Sequence, residues 1–446
     1  MFTTLYRVAL VLLIAAGMPA RAAPPEPPRG SLVIAGGALR GDNGAVWQRM
    51  VRLAGGPGAR IAVFASASAN PEAAARYNME LLDRYGAAAF FIPVAVKLAG
   101  TDYLAAADDP ALAAAVRSAG GAYFAGGDQG RITRALRRAD GSNSLVLDAL
   151  WDMYRRGGVI AGSSAGAAIM SSTMFDAPRT VLTTLKQGVA DGHEIAPGLG
   201  FIGDDVFVDQ HLLVRGRFAR MLPAMLKKGY KLGLGIDENT AMVVGPDREV
   251  EVIGYKGALL IDLAAASTAP GAFNLANARL SYLDSGDRFN LRSGAFTPAA
   301  DKAAGKLDPA EPYYREPLFN ADILGNSAVV DLMGKLIDSD QPEAIGLTLG
   351  SPRSVQPELG FEFRFSRVRD SVGYLSAASE TYSVYNVRLD IRPIQIRLPI
   401  YQYQQERPAS RMVSKSAASG HVELPCASGF CGQDVISETI VEFGKF

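Results

Sequence analysis

The most informative stretch of the sequence is residues 158–167, which read GVIAGSSAGA. The run from Gly158 to Ala161 is apolar at successive positions, which indicates a strand buried on both faces. Residues 162–166 match G-x-S-x-G, a sharp turn that leads from a strand into a helix. Helix-like sequence follows at residues 167–171, and residues 144–156 before the strand carry apolar side chains at helical spacing. The stretch therefore predicts helix, buried strand, tight turn and helix in succession.

The same alternation of strand and helix extends towards the N-terminus. Strands are predicted at residues 31–35, 60–65, 88–94 and 121–124, and helices at residues 71–84 and 110–118. Strands that are apolar on both faces and separated by helices are typical of a parallel sheet covered on both sides. The sequence therefore predicts an α/β fold with a mostly parallel, doubly wound sheet at residues 31–270.

Beyond about residue 245 the pattern becomes rich in strands. Strand-like pieces occur at residues 249–253, 258–263, 279–283, 361–365 and 383–398. The last piece alternates apolar and polar residues, as half-buried strands do. We predict a β-rich C-terminal region at residues 271–446, which is either a second module or an extension of the sheet.

Composition excludes several classes of protein. The 446 residues include 45 Lys and Arg and 45 Asp and Glu, so no overall field favours nucleic acid or an anionic membrane. Hydrophobic residues make up 48% of the chain, which is the profile of a globular protein. A preference for a charged partner must therefore come from local clusters of charge.

The N-terminus has the plan of a secretory signal peptide at residues 1–22. An apolar core at residues 8–16 precedes Ala-Arg-Ala at residues 20–22, which matches a cleavage site. The core is shorter than the roughly 20 residues that a membrane anchor needs. We expect cleavage near Ala22, a Pro-rich lead-in at residues 23–30, and a periplasmic or secreted mature protein without a membrane span.

The only two cysteines, Cys426 and Cys431, are close together in the C-terminal tail. In an oxidising compartment they can close a small disulfide loop. A zinc site would need more ligands than this tail offers, since only His421 is nearby. We therefore predict a disulfide and no metal.

Ser164 is the central residue of the G-x-S-x-G turn. Such a turn strains the serine backbone and exposes its hydroxyl at the end of the strand, while the flanking glycines make room for the bend. The alternative is a turn of small residues without chemistry, because Gly, Ser and Ala also suit close packing. The strand before it and the helix after it favour a nucleophile.

A serine nucleophile needs a base, and the chain has three histidines. His211 ends the strand-like run 206–211, where an open parallel sheet gathers its active-site groups, whereas His193 lies in a loop. We therefore prefer His211, although a histidine that merely caps a strand is the alternative. The carboxylate that orients the imidazole is Asp237 or Glu238. Because neighbouring residues of a strand face opposite sides, only one of the two can face the site, and the sequence does not show which.

Two glycines, Gly126 and Gly127, follow the strand at residues 121–124. Their amides, with that of Ala165, are predicted to receive a developing oxyanion. The alternative is a nucleotide-binding loop. Neither this pair nor Gly36-Gly37 extends to G-x-G-x-x-G, which argues against that alternative.

Three arginines, Arg215, Arg217 and Arg220, follow the candidate base. A cluster of guanidinium groups beside a nucleophile, in a chain of zero net charge, indicates a carboxylate-rich substrate. A solvated basic helix face is the alternative.

In their order these motifs resemble those of the cyanophycinases, which belong to the S51 group of serine peptidases together with dipeptidase E. The resemblance covers roughly residues 31–245 and rests on residues 126–129, 162–167, 209–220 and 235–241. Ser163 stands where the family usually has threonine. The resemblance implies a catalytic triad of Ser164, His211 and Glu238. It also implies an oxyanion hole formed by the amides of Gly127, Asp128 and Ala165. It also implies a substrate pocket lined by Gln129, Asp209, Gln210, Arg215, Arg217 and Arg220.

The family hydrolyses cyanophycin, a polyaspartate that carries arginine on each side-chain carboxyl, to β-Asp-Arg dipeptides. The resemblance implies an S51-like catalytic domain at residues 31–270, of the flavodoxin-like or class I glutamine amidotransferase-like type, and no metal or organic cofactor. The signal peptide and the C-terminal region resemble an extracellular subgroup. A homodimer is compatible with the sequence, which does not fix the oligomeric state.

Three rival functions stay open at this stage. An α/β-hydrolase esterase has its triad in the order Ser, acid, His, and would need His421 as base. A dipeptidase would act on short Asp-containing peptides. A non-catalytic exported binding protein would leave Ser164 unreactive.

Overall fold

The structure is a computed structural model, and it describes residues 27–400. The predicted signal peptide, the first part of the lead-in, His421 and the predicted disulfide of Cys426 and Cys431 lie outside the described residues. Within residues 27–400, no helix has both the length and the apolar character needed to cross a membrane.

The first sheet contains the predicted parallel strands. From edge to edge its described strands are β15 (Phe296–Thr297), β14 (Arg288–Asn290), β11 (Glu249–Gly254), β10 (Thr240–Val244), β1 (Ser31–Ala35), β5 (Val159–Ser163), β4 (Gly121–Phe124), β2 (Arg60–Phe64) and β3 (Ala88–Phe91). The five strands from β1 to β3 in this order are parallel, and the other four add antiparallel pairs. The predicted mixed α/β class with parallel strands is confirmed.

Helices cover both faces of this sheet. The described helices are α1 (Gly44–Leu53), α2 (Pro71–Arg84), α3 (Tyr103–Ala107), α4 (Pro110–Arg117), α5 (Gln129–Leu136), α6 (Leu145–Arg155), α7 (Ala165–Ala168), α8 (Val181–Gln187), α9 (Phe218–Lys228) and α10 (Ala328–Ile337). Val33 of β1 shares a buried cluster with Trp47 of α1 and Leu82 of α2, whereas its neighbour Ile34 shares one with Leu147 of α6. Because successive strand residues face opposite sides, both faces of β1 must be apolar. The flavodoxin-like or glutamine amidotransferase-like assignment stays a prediction.

The second sheet joins the α/β part of the chain to the C-terminal strands. Its described strands are, in order, β16 (Leu318–Asn320), β17 (Glu343–Thr348), β18 (Leu359–Ser366), β20 (Tyr382–Gln395), β13 (Leu275–Leu283), β12 (Ala258–Asp262), β9 (Leu232–Ile236) and β8 (Val206–Gln210). Outside this order, β19 (Val372–Leu375) pairs with β20, and β6 (Thr173–Phe175) pairs with β7 (Ile195–Pro197). The antiparallel pairing of β12 with β13 spans the boundary predicted at residue 270. The C-terminal strands therefore extend the sheet that contains β8 and β9.

Candidate active site

The backbone at Ser164 has the strained turn that the motif predicts. Ser164 has φ 55° and ψ −108° between β5 and α7. A Cβ added to Gly162 would lie 2.3 Å from the Gly166 carbonyl oxygen, and one added to Gly166 would lie 2.3 Å from the Phe124 oxygen. Both glycines are therefore needed for the tight turn, and the strain at Ser164 is of the kind that concentrates at functional sites.

Three side chains from distant parts of the chain form one hydrogen-bonded series. The Ser164 hydroxyl lies 2.8 Å from Nε2 of His211, and Nδ1 of His211 lies 2.6 Å from Oε1 of Glu238. Because the carboxylate accepts the Nδ1 proton, Nε2 carries a lone pair that faces the hydroxyl. This is the arrangement by which a base activates a serine.

The C-terminal end of β1 holds these three segments together. The carbonyl oxygens of residues 35–37 accept, in order, the amides of Ser164 at 3.0 Å, His211 at 2.8 Å and Asn239 at 2.8 Å. Asn239 directly follows Glu238, so each triad segment hydrogen-bonds to its own carbonyl of one short stretch. These three backbone hydrogen bonds explain how the side chains of Ser164, His211 and Glu238 come within hydrogen-bonding distance of one another.

Gly37 packs directly on the imidazole of His211. Its φ is +119°, and a Cβ at this position would lie 2.2 Å from Cε1 and 2.4 Å from Nε2 of His211. This role was not predicted from the sequence, where Gly36-Gly37 was considered only as a nucleotide-binding loop. The signal was present, since a glycine pair follows β1 as another follows β4.

The surroundings of His211 favour the neutral imidazole. Burial lowers the pKa of His211 below its usual range, and the positive charges of Arg215 and Arg217 lower it further, while the hydrogen bond to Glu238 opposes the shift. A neutral imidazole at neutral pH can accept the proton of Ser164.

Of the two neighbouring acids, Glu238 contacts the base and Asp237 does not. Asp237 is fully buried, and its Oδ1 accepts the amides of Leu213 at 3.1 Å and Val214 at 3.2 Å. Its Oδ2 accepts a hydrogen bond from the Lys256 ammonium group at 2.8 Å. Asp237 therefore anchors the segment after His211, a role that sequence reasoning missed.

The predicted oxyanion hole needs one correction. The Asp128 amide donates to the Ala67 carbonyl at 3.0 Å, because the turn after β4 folds back on that residue, so it is not free to receive an oxyanion. In the part of the chain that the structure describes, the amides of Gly127 and Ala165 have no hydrogen-bond acceptor. These two amides are available for the role.

Asp209 and Arg220 require a second correction. They were predicted to line the substrate pocket, but Asp209 is 2% exposed and Arg220 is 3% exposed. Nε and Nη2 of Arg220 each donate to the Asp209 carboxylate at 2.7 Å, a geometry that neutralises both charges. Strand β8 turns Asp209 inward, so the pair supports the site from beneath.

The other predicted pocket residues lie around this buried pair. Nη1 of Arg217 donates to the carbonyl and to Oε1 of Gln210, both at 2.9 Å. Burial first, and then the charges of Arg220 and Arg215, lower the pKa of Arg217 to about 10, so it stays cationic at neutral pH. Arg215 is exposed beside them.

Gln129 belongs to the same group through Phe175. Its amide donates to the Phe175 carbonyl at 2.6 Å, and the guanidinium of Arg220 lies 4.1 Å from the centre of the Phe175 ring. Contacts, in part through Phe175, therefore join five of the predicted pocket residues into one group, namely Gln129, Asp209, Gln210, Arg217 and Arg220.

The C-terminal region contacts the segment that follows His211. The Ser327 amide donates to the Leu213 carbonyl at 3.3 Å. Gly216 has φ +57°, and a Cβ there would lie 2.1 Å from the Leu324 oxygen. Sequence reasoning gave no role to residues 324–327, because nothing in their composition indicates a contact more than a hundred positions away.

The remaining predictions concern other ligands and bases. His193 is exposed in a turn, away from the series formed by Ser164, His211 and Glu238. Within residues 27–400, no group of three or more His, Cys, Asp or Glu side chains is placed to hold a metal ion.

The chain is similar in sequence to several known proteins. No protein-family model matches the chain. It is 35% identical over 147 residues to the cyanophycinase of Geminocystis herdmanii, a stretch that is 30% of this chain and 50% of the relative. The chain is related to the cyanophycinases. This relationship confirms the resemblance to the cyanophycinases that was inferred from the motifs, and the extracellular subgroup stays a prediction.

Other cyanophycinases show the same extent of similarity. That of Trichormus variabilis is 31% identical over 169 residues, which are 36% of this chain and 55% of the relative. That of Synechococcus elongatus is 32% identical over 148 residues, which are 30% of this chain and 42% of the relative. The chain thus spans about half the length of the curated cyanophycinases it matches.

The chain is also similar to a solved structure. It is the crystal structure of a peptidase from an acI-B1 Actinobacterium, with 20% identity and a TM-score of 0.43, and the match covers 59% of this chain and 98% of that one.

Proposed function

We propose that the chain is an exported serine peptidase that hydrolyses cyanophycin to β-Asp-Arg dipeptides. The observation that carries the proposal is the hydrogen-bonded series from Ser164 through His211 to Glu238. The relationship to the cyanophycinases supports the choice of substrate.

In the proposed reaction, Oγ of Ser164 attacks the backbone carbonyl carbon of an aspartyl residue while Nε2 of His211 takes its proton. Glu238 stabilises the imidazolium, and the amides of Gly127 and Ala165 receive the oxyanion. The C–N bond then breaks, the imidazolium protonates the leaving amine, and an ester remains on Ser164. Water, deprotonated by His211, hydrolyses this acyl-enzyme.

Charge complementarity supports a substrate rich in carboxylates. In a β-Asp-Arg unit the arginine is linked through its α-amino group, so its own carboxylate is free. Arg217 keeps its charge at neutral pH, and Arg215 is exposed. These two guanidinium groups are suited to bind successive carboxylates of the polymer.

Product analysis tests the substrate and the bond that is cleaved. Purified mature protein is incubated with cyanophycin, and mass spectrometry identifies the products. The wild type and the control Ser163→Ala should release β-Asp-Arg, whereas Ser164→Ala should release none. Free arginine as the main product would contradict backbone cleavage, and activity on short Asp-containing peptides alone would indicate a dipeptidase.

Export is the second element of the proposal. The predicted signal peptide supports it, and cleavage near Ala22 would produce a mature chain that begins near Ala23. N-terminal sequencing of protein recovered from the periplasm or the medium tests this. An intact residue 1 in the recovered protein would contradict it.

A further inference from the structure

A second group of cations lies in a cavity of about 390 Å³ that is separate from the triad. Phe289, on β14 next to the edge strand of the first sheet, lines the cavity together with residues of the second sheet. Its basic lining residues are Lys231, Arg279 and Arg292. The cavity thus lies where the two sheets meet.

These three cations have no counter-charge bound to them. In the part of the chain that the structure describes, none of their side chains forms a hydrogen bond or an ion pair, and Nη1 of Arg279 is buried without an acceptor. Lys231 and Arg292 are exposed, so the absence of a partner is unusual only for the buried Nη1 of Arg279, since buried charged groups are normally paired.

The strand register explains why Arg279 lacks a partner. Asp262 stands opposite it on β12, but this carboxylate forms no ion pair with it and accepts the Ala264 amide at 2.7 Å. On the other side stands Arg388 of β20, whose charge is neutralised by Asp390. The neighbouring strands therefore leave the charge of Arg279 uncompensated.

Two hydroxyl groups add donors to the cavity. Oγ of Ser281 accepts the Asn386 amide at 2.9 Å, and Oγ of Ser293 accepts the Ala295 amide at 3.3 Å. Each hydroxyl therefore keeps its own proton to donate. A lining rich in donors and poor in acceptors is complementary to an anion.

We propose that this cavity binds a small dianion, of the dicarboxylate or phosphate class, that bridges Arg279 and Arg292. Three cations against the one carboxylate of Asp262 leave two positive charges, which a dianion balances. Because Arg292 follows the first sheet's β14 and Arg279 lies in the second sheet, the bound anion would join the two sheets.

The cavity is distinct from the triad pocket. It lies at the N-terminal end of β9, where Lys231 and Leu232 line it, and Glu238 lies beyond the other end of that strand. Five strand residues span about 17 Å. The proposal does not depend on the peptidase activity.

Isothermal titration of the full mature chain tests the proposal. Phosphate and malonate are titrated separately, against chloride at equal ionic strength, with thermal unfolding followed in the same buffers. Arg279→Met and Arg292→Met should each weaken binding by at least about tenfold and remove the rise in melting temperature. Arg76→Met, which removes an exposed cation of α2, is the matched control and should bind as the wild type does.

A further variant separates this cavity from the triad pocket. Binding that persists in Arg217→Met supports the proposal, and the stronger of the two anions identifies the ligand class. Binding that is lost in Arg217→Met but unchanged in Arg292→Met would place the anion near the triad and overturn it. Absence of saturable binding by either anion would also overturn it. Because Arg292 is exposed in a loop, its variant decides the outcome if Arg279→Met does not fold.

Discussion

Replacing Gly37 with alanine would place a methyl group inside the contact radius of the His211 ring. The added Cβ would lie 2.2 Å from Cε1, whereas carbon atoms in contact are separated by about 3.5 Å. The imidazole must therefore move by more than about 1 Å. The present distance of 2.8 Å between Nε2 and the Ser164 hydroxyl would then exceed hydrogen-bond length.

A displacement of this size should cost about 100-fold in kcat/KM. Alanine at a φ of +119° also strains the backbone and should lower the free energy of unfolding by about 1–3 kcal/mol. Hydrolysis of cyanophycin measures the first effect, and urea denaturation followed by circular dichroism measures the second.

Gly157 provides a matched control, because its φ is +116° and a Cβ there would have no atom within 4 Å. Gly157→Ala should therefore show a comparable backbone penalty and nearly normal kcat/KM. If Gly37→Ala were as active as Gly157→Ala, the argument that Gly37 fixes the position of the base would be refuted.

Three further predictions address charge. Arg215→Met removes a cation that lowers the pKa of His211, so the pKa should rise and the acidic limb of the pH profile of kcat/KM should move to higher pH; an unmoved limb would contradict this. Glu238→Gln should lower kcat by about 10³-fold or more, because the imidazolium loses its counter-charge. Steady-state kinetics measures this loss, and a much smaller loss would contradict the role of Glu238. Arg220→Met should lower the free energy of unfolding by about 3–5 kcal/mol, because Asp209 is left buried and unpaired. Urea denaturation measures this change, and an unchanged free energy of unfolding would contradict a stabilising ion pair between Arg220 and Asp209.

Local patterns in the sequence were sufficient to predict much of the fold. Strands β1 and β4 and helix α2 have the predicted bounds, because apolar runs, Gly pairs and an N-terminal Pro define their ends. The Ser164 turn was also predictable, since its two glycines lie within two residues of the serine.

Contacts between distant residues were not predictable in the same way. A charged residue type does not show which way its side chain points, so the sequence did not reveal that Asp209 and Arg220 neutralise each other. The contact of Gly37 with His211 depends on how β1 meets β8, and the support of Gly216 by Leu324 depends on the C-terminal fold. Such contacts depend on tertiary packing.

Covalent labelling shows whether His211 makes Ser164 nucleophilic. The protein is treated with a fluorophosphonate, and peptide mass spectrometry locates the adduct. We expect a single adduct on Ser164 in the wild type and a loss of labelling in His211→Ala. An unlabelled wild-type protein, or an adduct on the neighbouring Ser163, would contradict it and would favour a binding protein without catalysis.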